Sequence, residues 1–233
     1  MAPRLEMIGV SKSFVMHLRG GMRMDAVGEV SLSVSPGECL VLSGPSGAGK
    51  SSVLKMVYGN YSTERGRILV DTGLERVDVA AADARQVLAL RRSTIAYVSQ
   101  FLRVVPRVPA RDVVAEALIA QGTARDAARQ RAEVLLDRLN VPVRLWELSP
   151  ATFSGGEQQR VNVARGFITD HPLLLLDEPS ASLDADNKQV VVELVREKKA
   201  AGVGILGIFH DSEVREAVAD RVLEFGRIER RAA

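Results

Sequence analysis

The stretch "GPSGAGKS", residues Gly44 to Ser51, decides the fold of this chain. It matches in full the phosphate-loop pattern G-x-x-x-x-G-K-[S/T]. The apolar run "CLVLS" precedes it and "KSSVLKMVYG" overlaps its end, which predicts a buried strand before the loop and a helix after it. In this context the glycines let the backbone wrap closely, so that its N–H groups point at phosphate oxygens. The stretch therefore predicts a site for the phosphates of a nucleotide.

The side chains of this loop have separate expected roles. Lys50 is placed to reach the β- and γ-phosphates, which also makes it a candidate catalytic residue, and the Ser51 hydroxyl is placed to hold Mg²⁺. A chance glycine turn is the alternative, and the complete pattern in its strand–helix context argues against it. The candidate nucleotide-binding residues here are Gly44, Pro45, Ser46, Gly47, Ala48, Gly49, Lys50, Ser51 and Ser52.

Apolar runs of strand length recur along the chain and alternate with helical patterns. The runs "TIAYVSQ", "LLLLDE" and "GVGILGIFH" predict three further buried strands. Strands that are apolar on both faces and alternate with helices indicate a mainly parallel sheet covered by helices, and hence an α/β fold. From about residue 109 to residue 140 we expect only helices, one of them capped by Thr123 with Asp126 three residues later. A helical lobe inserted into an α/β core is the predicted architecture.

Polar side chains follow these strands at their carboxyl ends, where open α/β sheets bind ligands. "LLLLDEP" brings Asp177, a candidate Mg²⁺ ligand, and Glu178, a candidate general base for an attacking water. Gln100 ends "TIAYVSQ" and is a candidate for contact with Mg²⁺ or that water, and His210 after "GILGIF" is a candidate catalytic donor to a γ-phosphate. Taken alone, each has a structural alternative: a solvated turn for the acids, an ordinary strand end for Gln100 and a partly buried histidine for His210.

A second glycine-rich stretch, "TFSGGEQQRV" at residues 152–161, also predicts the start of a helix. Ser154 and Glu157 form a capping-box pattern, and Gly155 and Gly156 fit a simple turn. A helix N-terminus with bare glycines is also an anion site. Because one phosphate loop already holds one nucleotide, this second site is expected to serve a nucleotide held by another molecule.

Composition limits the classes of function. The chain has 233 residues, 46% of them apolar and 26% charged, with a net charge of +2, so nothing in the charge argues for nucleic acid or an anionic membrane as partner. Its single cysteine, Cys39, excludes an intrachain disulfide. No apolar run approaches the roughly 18 residues that cross a bilayer, and the N-terminus lacks a signal-peptide pattern. We expect a cytoplasmic protein whose membrane part, if it has one, is another chain.

Six motifs occur in the order in which ABC-type ATPases carry them: the phosphate loop, "VSQ", "FSGGEQQ", "LLLLDEP", "ASLD" and "IFHD". The chain therefore resembles that family over essentially its whole length. The resemblance implies one domain, 1–233, with a P-loop NTPase core of about 1–100 and 160–233, an inserted helical lobe of about 101–159 and a small antiparallel β subdomain. It also implies a head-to-tail dimer, with itself or with a sister ABC ATPase, that encloses two ATP molecules and Mg²⁺.

The same resemblance implies roles for further residues. Phe14 stands where the family stacks an aromatic ring on adenine, and Asp184 ends a loop that communicates between the two sites. Gln100 resembles the family's Q-loop glutamine and His210 its switch histidine. The chain reads "FSGGEQ" where "LSGGQ" is commonest, and phenylalanine where tyrosine is frequent, but neither change removes a needed group. The residues that would cover the partner's ATP are Ser154, Gly155, Gly156 and Glu157.

Three stretches look closest to the L-type ATP-binding subunit of the bacterial phosphonate carbon–phosphorus lyase system: "YVSQFLRVVPRVPARDVVAEAL", "PATFSGGEQQRVNVARGFI" and "GIFHD". This implies soluble phosphonate-lyase subunits as partners. The partner-facing segment that follows Gln100 carries two arginines, Arg103 and Arg107, and two stiffening prolines, Pro106 and Pro109. A solvated basic loop is the alternative for that segment. For the chain, the alternatives are the ATPase subunit of a membrane transporter and a DNA-repair ATPase, the latter disfavoured by the single cysteine and the lack of heptads.

Overall fold

The computed structural model of the chain describes residues 2–16, 22–103 and 106–226. Within these residues, strands β1 to β9 span Leu5–Met16, Met22–Val34, Cys39–Ser43, Arg65–Asp71, Arg76–Asp78, Ile95–Val98, Leu173–Asp177, Gly204–Ile208 and Arg221–Glu224. Helices α1 to α7 span Lys50–Val57, Ala84–Ser93, Ala110–Ala120, Arg125–Arg138, Gly155–Phe167, Ala185–Ala200 and Ser212–Val218. Two short 3-10 helices, Val143–Leu145 and Pro150–Thr152, precede α5.

Five parallel strands form the central sheet, in the order β6-β7-β8-β3-β9. The four leucines of β7 lie opposite Ile95–Val98 of β6 on one side and opposite β8 on the other, and every residue of β7 is buried. Burial on both faces explains why these runs are apolar throughout, and the predicted strands are confirmed. Because the strands are parallel, the residues that follow β3, β6, β7 and β8 meet at one edge of the sheet.

Strands β1, β2, β4 and β5 form a separate antiparallel sheet, in the order β2-β1-β4-β5. Helix α1 packs between the two sheets, since Val53 and Leu54 share one hydrophobic cluster with Leu5 of β1 and Leu40 of β3. Full burial of such a side chain contributes about 1.5–3 kcal/mol. The cluster therefore anchors the helix that follows the phosphate loop. The α/β core with a small antiparallel β subdomain, expected from the family resemblance, is confirmed.

Alternate residues of the central strands face opposite sides of the sheet, so both faces are covered. Leu173 joins the cluster around α1, whereas Leu174 joins a second cluster with helices α3, α4 and α5. Helix α5 approaches β6 closely, because a Cβ on Gly166 would lie 2.2 Å from Val98 Cγ2. This helix runs unbroken through residues 159 and 160, where the sequence places the boundary between lobe and core. That boundary stays a prediction.

The start of α4 differs from the prediction. Ala124 occupies the N-cap position, with no side-chain cap, so the predicted cap by Thr123 is wrong. The backbone N–H of Thr123 instead donates to Leu118 O at 3.0 Å and completes the turn that ends α3. Helix α4 then begins where its apolar face can pack, with Ala128 and Leu136 buried. Tertiary packing and the preceding turn therefore outweigh the capping pattern here.

Helix α6 shows how the helices cover the sheet. It is the longest helix of the described ranges, with 16 residues, and it buries Val191, Val192 and Val195 against the core. Its last turn carries Lys198 and Lys199. Among the residues that the structure describes, no helix combines the length and the apolar character needed to cross a membrane.

Candidate functional site

The phosphate loop joins β3 to α1 at the carboxyl edge of the central sheet. Gly44, Gly47 and Gly49 have φ values of 130°, 80° and 92°, a left-handed path that glycine adopts at little cost. A Cβ on Gly49 would lie 2.1 Å from Ala26 O, so only glycine fits there. Backbone turns of this kind direct successive N–H groups toward one point and bind anions. The predicted loop is therefore formed as a phosphate cradle.

Lys50 is buried within this cradle, with 8% of its surface exposed. Its ammonium donates to Gly44 O at 2.6 Å and Pro45 O at 2.9 Å. Across the described ranges, none of the ion pairs involves Lys50. A buried cation that contacts only carbonyl oxygens is poorly compensated, because burying a charge is costly unless it is paired. The phosphate groups of a nucleotide would supply the missing negative charge.

Asp177 ends β7 and is 1% exposed. Its Oδ1 accepts a hydrogen bond from Ser51 Oγ at 2.9 Å, and its Oδ2 accepts one from the Tyr97 hydroxyl at 3.0 Å. Hydroxyl and carboxylate oxygens suit Mg²⁺, which also keeps water and substrate phosphates as ligands. No group of three His, Cys, Asp or Glu that could hold a metal occurs in the described part of the chain. Ser51 and Asp177 therefore fit Mg²⁺ as partial ligands beside a nucleotide.

Tyr97 was not among the residues predicted from the sequence. Burial, followed by the nearby Asp177 carboxylate, raises the pKa of Tyr97 well above its ordinary value. The phenol therefore stays protonated and donates to Asp177. Its ring also packs on Tyr58, with ring centroids 5.0 Å apart. The one signal in the sequence was a hydroxyl in the otherwise apolar run "IAYV".

Glu178 lies between two other predicted residues. Its Oε1 lies 2.9 Å from His210 Nε2, and its Oε2 accepts a hydrogen bond from Gln100 Nε2 at 3.3 Å. The glutamate side chain is 17% exposed and the histidine 60%, so the group opens to solvent on the histidine side. A cavity of about 320 Å³, lined in part by Glu178, Lys188 and His210, adjoins the group. The structure thus brings together Gln100, Glu178 and His210, which the sequence placed separately at the carboxyl ends of their strands, and their roles stay predictions.

Asp184 begins helix α6 beside this cavity. Its carboxylate accepts hydrogen bonds from the Asn187 backbone at 2.9 Å and from the Asn187 side chain at 2.7 Å. The backbone bond is the largest cause that holds the pKa of Asp184 below its ordinary value. One turn later Lys188 pairs with Asp211, the residue after His210. Lys188 was not predicted, and nothing in the sequence pattern marks it. This ion pair connects the start of α6 to the histidine loop.

The second glycine-rich stretch begins α5, as predicted. The Ser154 backbone N–H donates to Glu157 Oε2 at 2.8 Å, and the Glu157 N–H donates to Ser154 Oγ at 3.4 Å, so the capping box is confirmed. Hydrogen bonds from Ser154 hold the pKa of Glu157 below its ordinary value. Ser154 and Gly155 are exposed, and a Cβ on Gly155 would meet nothing within 4 Å. Among the described residues, no hydrogen bond joins this helix start to the phosphate loop.

Phe14 lies near the end of β1, opposite Met24 of β2. Its half-buried ring packs edge-on against Tyr61, with ring centroids 5.2 Å apart, and Lys12 Nζ lies 5.2 Å from its centroid. Tyr61 was not predicted from the sequence. The geometry places an aromatic ring on the antiparallel sheet, and its stacking on adenine stays a prediction.

Comparison with known proteins gives one family. The family model described as ABC transporter matches residues 27–181. An uncharacterised ABC transporter ATP-binding protein of Mycobacterium tuberculosis is 34% identical over 217 residues, which cover 93% of this chain and 64% of that protein. The macrolide export ATP-binding/permease protein MacB of Brucella melitensis is 32% identical over 96% of this chain and 33% of its own length. The Fe(3+) ions import ATP-binding protein FbpC 1 of Rhizobium meliloti is 36% identical over 85% of this chain and 53% of its own length.

Solved structures resemble the fold over nearly the whole chain. The ATP-binding cassette MJ0796, a dimer in a post-hydrolysis state bound to ADP and Pi, superposes with a TM-score of 0.87 at 25% identity and 97% coverage of both chains. A second dimeric structure of that cassette gives a TM-score of 0.86 at 26% identity, again with 97% coverage of both chains. The curated relatives are longer than this chain, which spans only 64% of the length of the mycobacterial protein.

Proposed function

This chain belongs to the ABC transporter family and is an ABC-type ATPase that binds ATP with Mg²⁺, and from that premise we propose that two copies bind head to tail, or one copy with a sister ATPase, and share two ATP sites. The observation that carries the proposal is the separation of the two glycine-rich sites. The start of α5 is exposed and capped, while the phosphate loop has its own buried Lys50. Each ATP would lie between the phosphate loop of one chain and the Ser154 helix start of the other. The dimeric state of the related cassette supports this arrangement.

The residues of the site suit in-line hydrolysis. Lys50 and the loop N–H groups hold the phosphates, and Phe14 holds the adenine. Ser51 and Asp177 would hold Mg²⁺, which would supply positive charge to offset the negative charge of the phosphates. Glu178 accepts a proton from the attacking water, whose oxygen bonds to the γ-phosphorus as the bond to the ADP oxygen breaks. His210 and Gln100 both contact Glu178 in the structure. The γ-phosphate and the attacking water would therefore lie beside these same three side chains.

A mixed dimer tests the shared sites. One chain carries Lys50→Ala, which removes a phosphate contact, and the other carries Ser154→Arg, which places a bulky cation at the helix start. In the mixed dimer one ATP site carries both changes and the other carries none. We expect each variant alone to be nearly inactive and the purified mixed dimer to recover part of the wild-type ATP hydrolysis, at most half, because only one of its two shared sites is intact.

Differently tagged chains allow the mixed dimer to be isolated before the assay. A mixed dimer that forms but shows no recovery would contradict independent shared sites. If ATP produces no dimer of the wild-type chain in light scattering, the pairing of two copies is wrong.

For the partner, we propose first that the domain drives a membrane transporter. Two of the relatives named above are a macrolide export protein and an iron import ATP-binding protein, and this chain shares about a third of its residues with each. ATP binding would close the dimer, and hydrolysis would reopen it. The membrane-spanning part of this proposed transporter would lie outside the described residues, in which no helix is long and apolar enough to cross a membrane.

A soluble phosphonate-lyase assembly is the second candidate partner, favoured by the three stretches that resemble its L-type subunit. One of these stretches contains the segment 101–109, in which Phe101 is 74% exposed, Arg103 and Arg107 are exposed and Leu102 is buried. Residues 104 and 105 of that segment lie outside the described residues. An exposed phenylalanine with two exposed arginines suits contact with an acidic protein surface that has apolar patches.

A pull-down distinguishes the two partners. The chain with Glu178→Gln, which holds ATP without turnover, is captured once from detergent-free cytosol and once from detergent-solubilised membranes. Membrane permeases in the detergent fraction support the transporter. Phosphonate-lyase subunits in the detergent-free fraction would replace the transporter with the second candidate.

A further inference from the structure

Two amide side chains are buried in the middle of helix α5. Gln159 is 5% exposed and Asn162 is 3% exposed, and Val161 and Val163 beside them are fully buried. Residues three apart lie on the same face of a helix. Burying an amide is unfavourable unless its polar atoms are hydrogen-bonded, so this pair needs specific partners.

The partners of these amides are carbonyl groups at the ATP site. Gln159 Nε2 donates to Glu178 O at 3.2 Å and to Pro179 O at 3.0 Å. Asn162 Nδ2 donates to Ser99 O, immediately before Gln100, and also lies 3.3 Å from Gln159 Oε1. The two amides therefore hold the backbone beside Gln100 and Glu178, the pair whose side chains contact each other.

The same helix is closely fitted to its surroundings at both ends. Near its C-terminus, Gly166 allows contact with Val98 of β6, where a Cβ would lie 2.2 Å from Val98 Cγ2. At its N-terminus, a Cβ on Gly156 would lie 3.0 Å from Ser182 O. Ser154 begins this helix. In the proposed dimer, the start of the helix would therefore face the partner's nucleotide, while its middle holds the ATP site of its own chain.

We propose that Gln159 and Asn162 are positioning residues that couple the two ATP sites of the dimer. The inference rests on the proposed shared sites. When the start of α5 closes on the partner's ATP, the amides carry that displacement to the carbonyls of Ser99 and Glu178. Gln100 and Glu178 are then set for hydrolysis in their own chain. Hydrogen-bond networks with two arrangements are a physical route for such coupling.

The coupling has a direction that an experiment can test. In a mixed dimer, one chain carries Glu178→Gln and binds ATP without turnover, so that only the other, hydrolysing chain turns over ATP. Asn162→Ala is then placed in either chain. In the hydrolysing chain it removes the hydrogen bonds to Ser99 O and to Gln159, and so breaks the proposed link between the helix start and Gln100. In the Glu178→Gln chain it affects only the helix that covers the hydrolysing site.

We expect hydrolysis to fall ~2- to 30-fold when Asn162→Ala is in the hydrolysing chain, the range that coupling residues show. In the Glu178→Gln chain we expect less than a ~2-fold change, because the capping contacts at Ser154 remain. Val163→Ala, an apolar change at the next residue, controls for loss of helix stability. Binding of a fluorescent ATP analogue to the dilute monomer should be the same in all variants.

Two results would overturn the coupling. One is an equal loss with Asn162→Ala in either chain or with Val163→Ala, because a weakened helix alone explains it. The other is unchanged hydrolysis in every arrangement. If Asn162→Ala does not fold, Asn162→Ser keeps a small polar group that is too short to reach Ser99 O and answers the same question. If the wild-type chain dimerises with ATP neither with itself nor with a sister ATPase, the shared sites themselves are contradicted, and this is seen before any Asn162 variant is made.

Discussion

At the scale of single residues, Glu178 combines an unusual backbone conformation with a side chain that contacts two other candidate catalytic residues. Its φ is 56°, which few residues other than glycine adopt, and its N–H donates to Ile208 O at 3.0 Å. Such conformations cost of order 1 kcal/mol and persist where the surroundings hold them. Here the adjoining strand β8 holds the backbone, and the carboxylate lies between Gln100 and His210. We propose that this conformation orients the carboxylate toward the attacking water.

Glu178→Gln should leave nucleotide binding nearly unchanged and lower the rate of hydrolysis about 10²- to 10⁴-fold, because the water loses its base. Hydrolysis is measured by phosphate release, and binding by titration with a fluorescent ATP analogue. Glu213→Gln, at an exposed glutamate in α7, is the control and should hydrolyse ATP normally. Substantial turnover by Glu178→Gln would remove the glutamate from this role.

Tyr97→Phe should raise the Mg²⁺ concentration needed for half-maximal nucleotide binding about 3- to 10-fold, because the Asp177 carboxylate loses the hydrogen bond that it accepts from the Tyr97 hydroxyl. The readout is a Mg²⁺ titration of analogue binding, which needs no turnover. Tyr58→Phe is the matched control, because it removes a hydroxyl from the ring that packs on Tyr97. Equal Mg²⁺ titrations for all three proteins would show that the Tyr97 hydroxyl does not position Asp177.

At the scale of elements, a bidentate ion pair connects helices α3 and α4. Arg129 Nε and Nη2 donate to the two oxygens of Asp112 at 2.6 and 2.8 Å. The hydrogen bond from Arg129 holds the pKa of Asp112 below its ordinary value. A carboxyl with a lowered folded pKa stabilises the fold above its unfolded pKa, and this stabilisation is lost as the pH falls through the folded pKa.

Asp112→Asn should therefore lower the melting temperature by ~2–4 °C near neutral pH and have a diminishing effect below about pH 4. Thermal unfolding followed by circular dichroism at a series of pH values measures this difference. Asp137→Asn, at an exposed position of α4, should show no such pH profile. A difference between Asp112→Asn and wild type that is constant with pH would mean that packing, not charge, explains it.

At the scale of the whole molecule, the segment 101–109, which we propose as the partner-docking segment, carries positive charge but is not part of the phosphate site. Arg103 and Arg107 are exposed and follow Gln100, which contacts Glu178. Reversing both charges should leave ATP hydrolysis by the isolated protein within about 2-fold, and it should weaken capture of the partner more at low salt than at high salt. Capture at two salt concentrations is compared with a control in which exposed Arg125 and Arg144 are reversed instead. Equal loss with both pairs would point to general charge rather than to this segment.

The sequence by itself determined the α/β core and most residues of the candidate ATP site, because those features depend on local patterns. "GPSGAGKS" specifies its loop through glycine geometry, and "LLLLDE" specifies a buried strand that ends in acids. The same holds for the capping box at Ser154, which needs only two residues three apart. The predicted cap at Thr123 failed because the turn that ends α3 and the packing of α4 set the start of that helix.

Only the tertiary structure decided which distant residues touch. Tyr97 meets Asp177 because β6 lies beside β7, although the two residues are 80 positions apart. Gln159 reaches Glu178 only because α5 packs against the central sheet at a distance that Gly166 permits. Strand order and helix packing depend on the burial of the whole chain, and no local period in the sequence encodes them. The candidate catalytic residues could therefore be proposed one by one, while the contacts between them and with the rest of the chain could not.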